Sequence, residues 1–448
     1  MAEQMKSSGI PWIGDIPYDW SIKRIKYLAS LKGRIGWQGL TSDEYTDEGP
    51  YLITGIDFNN GSIDWNSCVH ISEKRWEEAP EIHITNGDLL ITKDGTVGKV
   101  AIVDSLHEKA SLNSGVLLIR TLPDYDKRFL FWVIQSEEFW YWFRLKNAGN
   151  STIIHLYQGD FAEFSYTFPH KAEQLAIADY LDAQCAKIDS IIADIEQQID
   201  VLKQYKKSLI TETVTKGLDK SVPMKDSGIE WIGKIPNHWG IKRLKFLLEN
   251  CPENIKVGPF GSSLVGSDFT NEGKWVYNQR IVLDDNFVEN DTFVSEEKFN
   301  ELKAFKVYEG DLLITTRGTI GIIAIVPKGS DEGILHPCII RFRVNPNVII
   351  PELVKLIFNE SDYAKDQFIL MSNATTIEVI YSYSLKDILL PVIPMGEQQR
   401  ILSFLQDKCG KINEIIEEKN KSLKRIQQHK KSLIYEYVTG KKRVKEAM

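Results

Sequence analysis

Ser8-Gly9-Ile10-Pro11-Trp12-Ile13-Gly14-Asp15-Ile16-Pro17 is written twice in this chain, returning as Ser227-Gly228-Ile229-Glu230-Trp231-Ile232-Gly233-Lys234-Ile235-Pro236. Gly9 and Gly228 stand 219 residues apart. Further along, Trp20 with Lys23-Arg24 and Lys26 recurs as Trp239 with Lys242-Arg243 and Lys245. Gly87-Asp88-Leu89-Leu90-Ile91-Thr92 recurs at an offset of 223 as Gly310-Asp311-Leu312-Leu313-Ile314-Thr315. Glu173-Gln174 and Lys206-Lys207-Ser208-Leu209-Ile210 recur at 224 as Glu397-Gln398 and Lys430-Lys431-Ser432-Leu433-Ile434. So small a drift across half the chain means that a whole unit is duplicated, and a repeat on this scale fixes the architecture.

Each copy divides into three parts. A leading segment (1–19, and 218–238 with the linker) carries Gly and Pro, which argue for an ordered but irregular wrap. A mixed body follows at 20–168 and 239–394, with short β-type runs at 51–54, 89–92, 97–103 and 116–120 separated by Gly, Asn and Asp turns. A helical stretch near 128–146 is crowded with aromatics, which read as core. The third part is a long helix, within 169–217 and 395–440, and a basic tail closes the chain at 441–448.

The helices carry a seam. Leu181, Ile188, Ile195, Leu202 and Leu209 fall every seven residues, and Cys185, Ile192 and Ile199 follow the first three by four. The second copy has Leu405, Ile412, Ile426 and Leu433 on one line and Leu402, Cys409, Ile416 and Leu423 on the other. This 3–4 alternation buries a stripe of one helix against another, and each helix finds its natural partner in the other copy. Lys419 interrupts the seam where the first copy has Ile195; it either fixes the register or lies at a solvated spot. The expected fold is therefore α+β: two mixed α/β domains separated by two long antiparallel coiled-coil helices, with an internal pseudo-two-fold repeat. About 42 residues of helix span roughly 63 Å at 1.5 Å per residue, enough to act as a ruler between two heads.

Composition narrows the class. At 448 residues, 43% hydrophobic and 26% charged, the chain reads as a multidomain globular protein. No apolar run approaches the roughly 20 residues needed to cross a bilayer. Five scattered cysteines without a Cys-x-x-Cys pair suit a reducing cytoplasm, the expected location. The net charge of −8 requires any nucleic-acid contact to come from local basic groups or from partner subunits.

With these boxes in view, the chain resembles the specificity subunits of type I restriction–modification enzymes over nearly its whole length. The resemblance rests on the duplicated Trp-Ile-Gly…Ile-Pro…Trp signature, the two Gly-Asp-Leu-Leu-Ile-Thr boxes and the two Glu-Gln helix starts. The linker Val214-Thr215-Lys216-Gly217-Leu218 and Gly258-Pro259-Phe260-Gly261-Ser262-Ser263-Leu264 also fit. The first body departs, with Gly36-Trp37-Gln38-Gly39 in place of the second box. The resemblance implies that each body is a target-recognition domain reading one half of a split, asymmetric site on double-stranded DNA. It implies that the helices set the gap and dock two methyltransferase subunits, which methylate adenine using S-adenosylmethionine. Two motor–nuclease restriction subunits would join and use ATP and Mg2+. The chain itself would be non-catalytic, with no bound cofactor or metal.

Candidate DNA-binding residues follow from side-chain chemistry. Gly95-Thr96-Val97-Gly98 and Gly318-Thr319-Ile320-Gly321 read as tight hairpins that could carry Lys93 and Arg317 to DNA, since Lys and Arg reach phosphates and guanine edges. Ser262 and Ser263 lie on a Gly-rich loop whose N–H groups could meet a phosphate. Asn278, Gln279 and Arg280 offer amide and guanidinium groups suited to base edges. Ser151, Thr152, Thr375 and Thr376 lie in corresponding polar stretches, with His155 and Gln158 just beyond the first. Lys23-Arg24-Lys26 and Lys242-Arg243-Lys245 read as a solvated face or a backbone contact, and Lys441-Lys442-Arg443 with Lys445 as a solubilising tail.

Two other classes compete. A DNA-modifying enzyme lacks its signatures here: there is no Gly-x-x-x-x-Gly-Lys-Ser/Thr loop, no Asn/Asp-Pro-Pro-Tyr/Phe tetrapeptide and no His-Glu-x-x-His. Asp291 with Glu296-Glu297-Lys298 imitates a nuclease centre only superficially, since the first copy has Glu73-Lys74-Arg75 there. A standalone coiled-coil scaffold would not need bodies of this size.

Overall fold

The structure, a computed structural model, describes residues 4–34, 39–148, 154–372 and 379–444. The chain forms two compact units, residues 1–195 with 421–448, and residues 196–420. Each unit contains one body, half of each long helix and one leading segment.

The helices run Lys171–Lys216 and Met395–Val438. In the first unit Tyr180 packs on Tyr437 and Lys430 pairs with Asp189 at 2.6 Å. In the second, Lys419 donates to Gln198 at 2.5 Å and Lys206 to Asn413 at 2.8 Å. In both, the residue number rises on one helix as it falls on the other, so the segments are antiparallel. Leu181, Cys185, Leu405, Cys409, Ile412 and Leu433 are buried, and Ile188, Ile195, Leu202, Leu209 and Ile426 are half-buried, so the seam faces inward throughout. Lys419 is half-buried and reaches the opposite helix, as a register-fixing residue does. Replacing it with the isoleucine of the first copy should raise stability by about 1 kcal/mol, read as a higher urea midpoint at unchanged slope. A lower midpoint would show that the Gln198 contact outweighs the apolar seam.

Each body is built on the same four-stranded antiparallel sheet. In the first the order is Val100–Ile102, Leu89–Thr92, Val116–Thr121, Ala29–Gly33; in the second it is Ile323–Ile325, Leu312–Thr315, Ile339–Phe342, Ile255–Val257. The Leu-Leu-Ile-Thr runs are central strands and wholly buried, which is why they read as unbroken apolar segments. A second sheet in each body contains one parallel pair, Ala110–Leu112 with Tyr45–Ile53, and Gly333–Leu335 with Lys274–Tyr277. The aromatic stretch of the first body forms two helices, Lys127–Gln135 and Glu137–Lys146; Phe129, Trp132, Phe139, Trp142 and Phe143 enter the core while Tyr141 faces outward.

A neck closes each body. Ser21–Arg24 pairs with Ser165–Phe168, and Gly240–Arg243 with Leu389–Val392, so the chain enters and leaves on adjacent strands. The Glu-Gln pairs lock the helix starts beneath these necks. Trp20 and Trp239 are fully buried and donate their indole N–H to Glu173 and Glu397 at 2.8 and 3.0 Å. Gln174 and Gln398, also fully buried, each accept from one backbone N–H of the body, Asp126 or Ile350, and donate to its carbonyls. A buried amide satisfied at both ends ties body to helix without depending on neighbouring side chains.

The leading segments are small antiparallel hairpins, Met5–Ser7 with Asp15–Pro17 and Met224–Asp226 with Lys234–Pro236, rather than irregular wraps. Gly14 and Gly233 close them, both at φ +68°, a conformation open chiefly to glycine. The basic tail is more than a solubilising appendage: Arg443 bridges Asp19 and Glu173, and Lys441 donates to the Asp15 carbonyl.

Candidate nucleic-acid interface

Strand directions gather the loops of each body at one edge of its sheets. In the second body, the ends of Ile255–Val257, Lys274–Tyr277, Leu312–Thr315 and Gly333–Leu335 all lie beside the start of Ile339–Phe342. Backbone hydrogen bonds stitch the emerging loops together: His336 donates to Tyr277, Thr316 to Cys338, Ile380 to Thr316 and Gly258 to Ile339, at 2.9–3.1 Å. The first body repeats the pattern, Lys93 donating to Gly115 and Leu156 to Lys93.

The central feature of each edge is the hairpin after the buried strand. The last threonine of the box, Thr92 or Thr315, is fully buried and its hydroxyl accepts from the N–H of Lys99 or Ile322. Its carbonyl accepts from Gly98 or Gly321. Gly95, Gly98, Gly318 and Gly321 all adopt positive φ, so the glycines serve the turn. The matching bonds from Lys93 and Thr316 show that these two are equivalent, so Arg317 corresponds to Asp94 and not to Lys93. Lys93 and Arg317, which both flank the hairpin, thus stand at different positions of the repeat.

The position occupied by Asp94 and Arg317 separates the two edges chemically. In the first body Asp94 holds His155 Nδ1 at 2.5 Å, both side chains little more than one-third exposed. In the second body Arg317 bridges Val379 through the backbone, is exposed, and forms no ion pair among the described residues. Gln279 donates its amide to the carbonyls of Arg317 and Thr319 at 2.9 and 3.3 Å, fixing the hairpin that carries the guanidinium. An acidic group beside an imidazole suits a base amino donor; an exposed guanidinium suits a guanine edge.

The remaining candidates divide. Asn278 caps the helix Gln279–Asp284, accepting from Ile281 and donating to Thr292, so both amide ends are spent within the protein. Arg280 is exposed but tied to Asp291 at 2.9 Å and Asp284 at 3.6 Å, beside a hollow of about 180 Å³ that Glu289 also lines. The Thr292 hydroxyl, and beyond it the Arg280 charge, hold the Asp291 carboxyl below its usual range against the opposing effect of burial. Gln158 donates to Leu31 at 3.0 Å and begins a short helix, a structural use of its amide. Ser262 is exposed and Ser263 half-buried, on the loop after Gly258. Ser151, Thr152, Thr375 and Thr376 lie outside the described residues. The Lys23-Arg24-Lys26 and Lys242-Arg243-Lys245 clusters are partly neutralised, through Arg24, Lys26, Arg243 and Lys245, by equivalent acids, Glu163 and Asp387. Local sequence could not single out Asp94, whose partner is 61 residues away, or His336, which burial holds below the usual imidazole range. Among the described residues no cluster of His, Cys, Asp or Glu is placed to hold a metal, and no helix is long and apolar enough to cross a membrane.

Two versions of one frame, each presenting different polar groups at a loop edge, define a two-headed recognition protein. Residues 17–201 and 258–425 match the type I restriction modification DNA specificity domain, and the chain belongs to that family. It is 26% identical to the putative type I restriction enzyme MjaX specificity subunit of Methanocaldococcus jannaschii, over 97% of this chain and 96% of that one. The MjaVIII specificity subunit of the same organism is 25% identical over 96% of this chain and 94% of its own. Among solved structures, a chain described under complex assembly and conformational transition of the type I R-M system superposes with a TM-score of 0.68 at 13% identity, covering 94% of this chain and 98% of that one. The protein supplies DNA sequence specificity.

Proposed function

We propose that each body reads one half of a bipartite, asymmetric site on double-stranded DNA and that the helices set the gap between the halves. The observation that carries this reading is the non-equivalence of Asp94–His155 and Arg317 on otherwise matching edges. Identical readers would select a symmetric site; readers that differ in charge at the same position select different half-sites. In this reading the chain carries two methyltransferase subunits and two motor–nuclease subunits. S-adenosylmethionine, ATP and Mg2+ are used by those partners, and the methylated base is adenine. The solved relative described under type I complex assembly supports the existence of such partners.

Mapping methylated adenines in a genome carrying the chain and its partners tests this. A split motif with two unlike halves is expected; a contiguous or palindromic motif overturns it. Within that motif, Arg317→Ala should relax discrimination at one base pair of one half, weakening binding there about ten-fold or more, the effect of one lost bidentate contact. The other half should be unaffected.

A further inference from the structure

Phe260 is 85% exposed, among the most exposed large apolar side chains on the described surface. A single exposed ring carries no message by itself. What distinguishes this one is how its loop is held. Gly258 passes so close to the turn below it that an added Cβ would stand 2.1 Å from the His336 carbonyl oxygen and 3.0 Å from Pro337 Cα. Gly258 and Pro259 are buried, and the Gly258 N–H donates to Ile339 at 2.9 Å. On the other side Ser263 donates to the Phe260 carbonyl at 2.8 Å, and Leu264, buried, enters a small apolar cluster with Val276, Val294, Phe299 and Ile334. The loop is therefore clamped at both ends, with the phenyl ring projecting from its crest.

The crest lies on the reading edge. Its anchor, His336-Pro337, follows the strand that pairs with Lys274–Tyr277, and Cys338 accepts from Thr316 immediately before Arg317. The ring thus shares an edge with the Gln279-braced hairpin. A rigid aromatic there loses little conformational freedom when it meets a ligand. DNA-binding proteins use such rings as wedges against base steps or as platforms for an unstacked base. The first body also exposes a large apolar side chain at its edge, Ile56, 79% exposed beside Gly55, whose Cβ position lies within 4 Å of the hairpin residue Thr96.

We infer that Phe260 is a stacking residue of the second half-site: it packs its ring on a base or base step and holds that step partly unstacked. The inference rests on the reading of this edge as the DNA-facing one. The ring reads by shape and stacking, while Arg317 reads by hydrogen bonding, so the two contribute separately.

The test uses the full chain, with its partner subunits if they are needed for binding, on duplexes carrying the mapped site with 2-aminopurine at successive positions of the second half. The parent protein should raise fluorescence at one position. Phe260→Ala should abolish that rise and weaken binding about ten-fold, whereas Phe260→Trp should retain both. Because the ring is exposed, Phe260→Ala should melt like the parent. If the parent binds but no position brightens, or if Phe260→Ala gives the parent's signal, the stacking role is overturned while the DNA-facing edge stands. If replacing Arg317 and Phe260 together leaves binding unchanged, the edge itself is misassigned.

Discussion

Exchanging residues 240–390 for the matching segment of a relative with another specificity changes one half of the recognised sequence and leaves the other half intact. The neck explains why this segment is separable. Gly240 pairs with Val392, Ile241 with Pro391 and Lys242 with Leu390, so the boundaries lie side by side on two hydrogen-bonded strands. Trp239 and Glu397, which lock the helix start, lie outside the segment and remain. Gln398 reaches into the body, but its partners there are the Val348 carbonyl and the Ile350 N–H, backbone groups that any donor sequence supplies. The side-chain ties at risk include Trp231 packed edge-on against Tyr363 and the ion pairs Lys206–Glu360 and Lys207–Asp362. The latter is an exposed pair whose loss costs about 0–1 kcal/mol. The measurement is the methylation motif of the hybrid. A motif changed in both halves, or in neither, would show that recognition is not modular.

Much of this architecture is legible in the sequence, and the parts that are not share a cause. A heptad pattern sustained over Leu181–Leu209 and Leu402–Leu433 averages out local noise, so the inward-facing seam can be read from the sequence. The buried box strands are equally plain, because Leu89-Leu90-Ile91 and Leu312-Leu313-Ile314 are unbroken apolar runs bounded by turn residues. The edge is different. His155 meets Asp94 across 61 residues and Gln279 meets Arg317 across 38, and no periodic signal announces either contact. Lys93 and Arg317 both precede the glycine turn, but the offset of 223 that relates the boxes pairs Lys93 with Thr316, and the matching hydrogen bonds to Gly115 and Cys338 agree. The tail is a third case: Arg443 finds Glu173 at a separation of 270 residues, so its composition alone suggested nothing beyond solubility.

The largest stability effect is expected at Asp311. This carboxylate is fully buried, accepts from the Tyr308 N–H at 2.8 Å, pairs with Arg343 and lies 3.9 Å from the Arg341 guanidinium. Burial pulls the Arg343 guanidinium down, yet the Asp311 hydrogen bond and charge, together with the charges of Cys251 and Glu249, leave the group above its ordinary value. The equivalent Asp88 is also buried and accepts from Thr85 and Arg120, but Arg120 is 42% exposed and water can replace its partner. Position 341 makes the difference. Where the second body buries Arg341, the first has Leu118, fully buried and apolar. Asp311→Ala therefore strands a charge in the interior and should cost about 3–5 kcal/mol, the usual range for breaking a buried pair. Asp88→Ala should cost about 1–2 kcal/mol, the loss of hydrogen bonds whose donors can rehydrate. Urea titration of each full-length variant measures both. Adding Arg341→Leu to Asp311→Ala removes the stranded charge and restores the side chain that the first body uses, so the double variant should recover about half of the loss or more. Equal costs at Asp88 and Asp311, or additive losses in the double variant, would mean that the buried guanidinium finds another counter-charge, of which Glu253, 3.8 Å from Arg341, is the nearest.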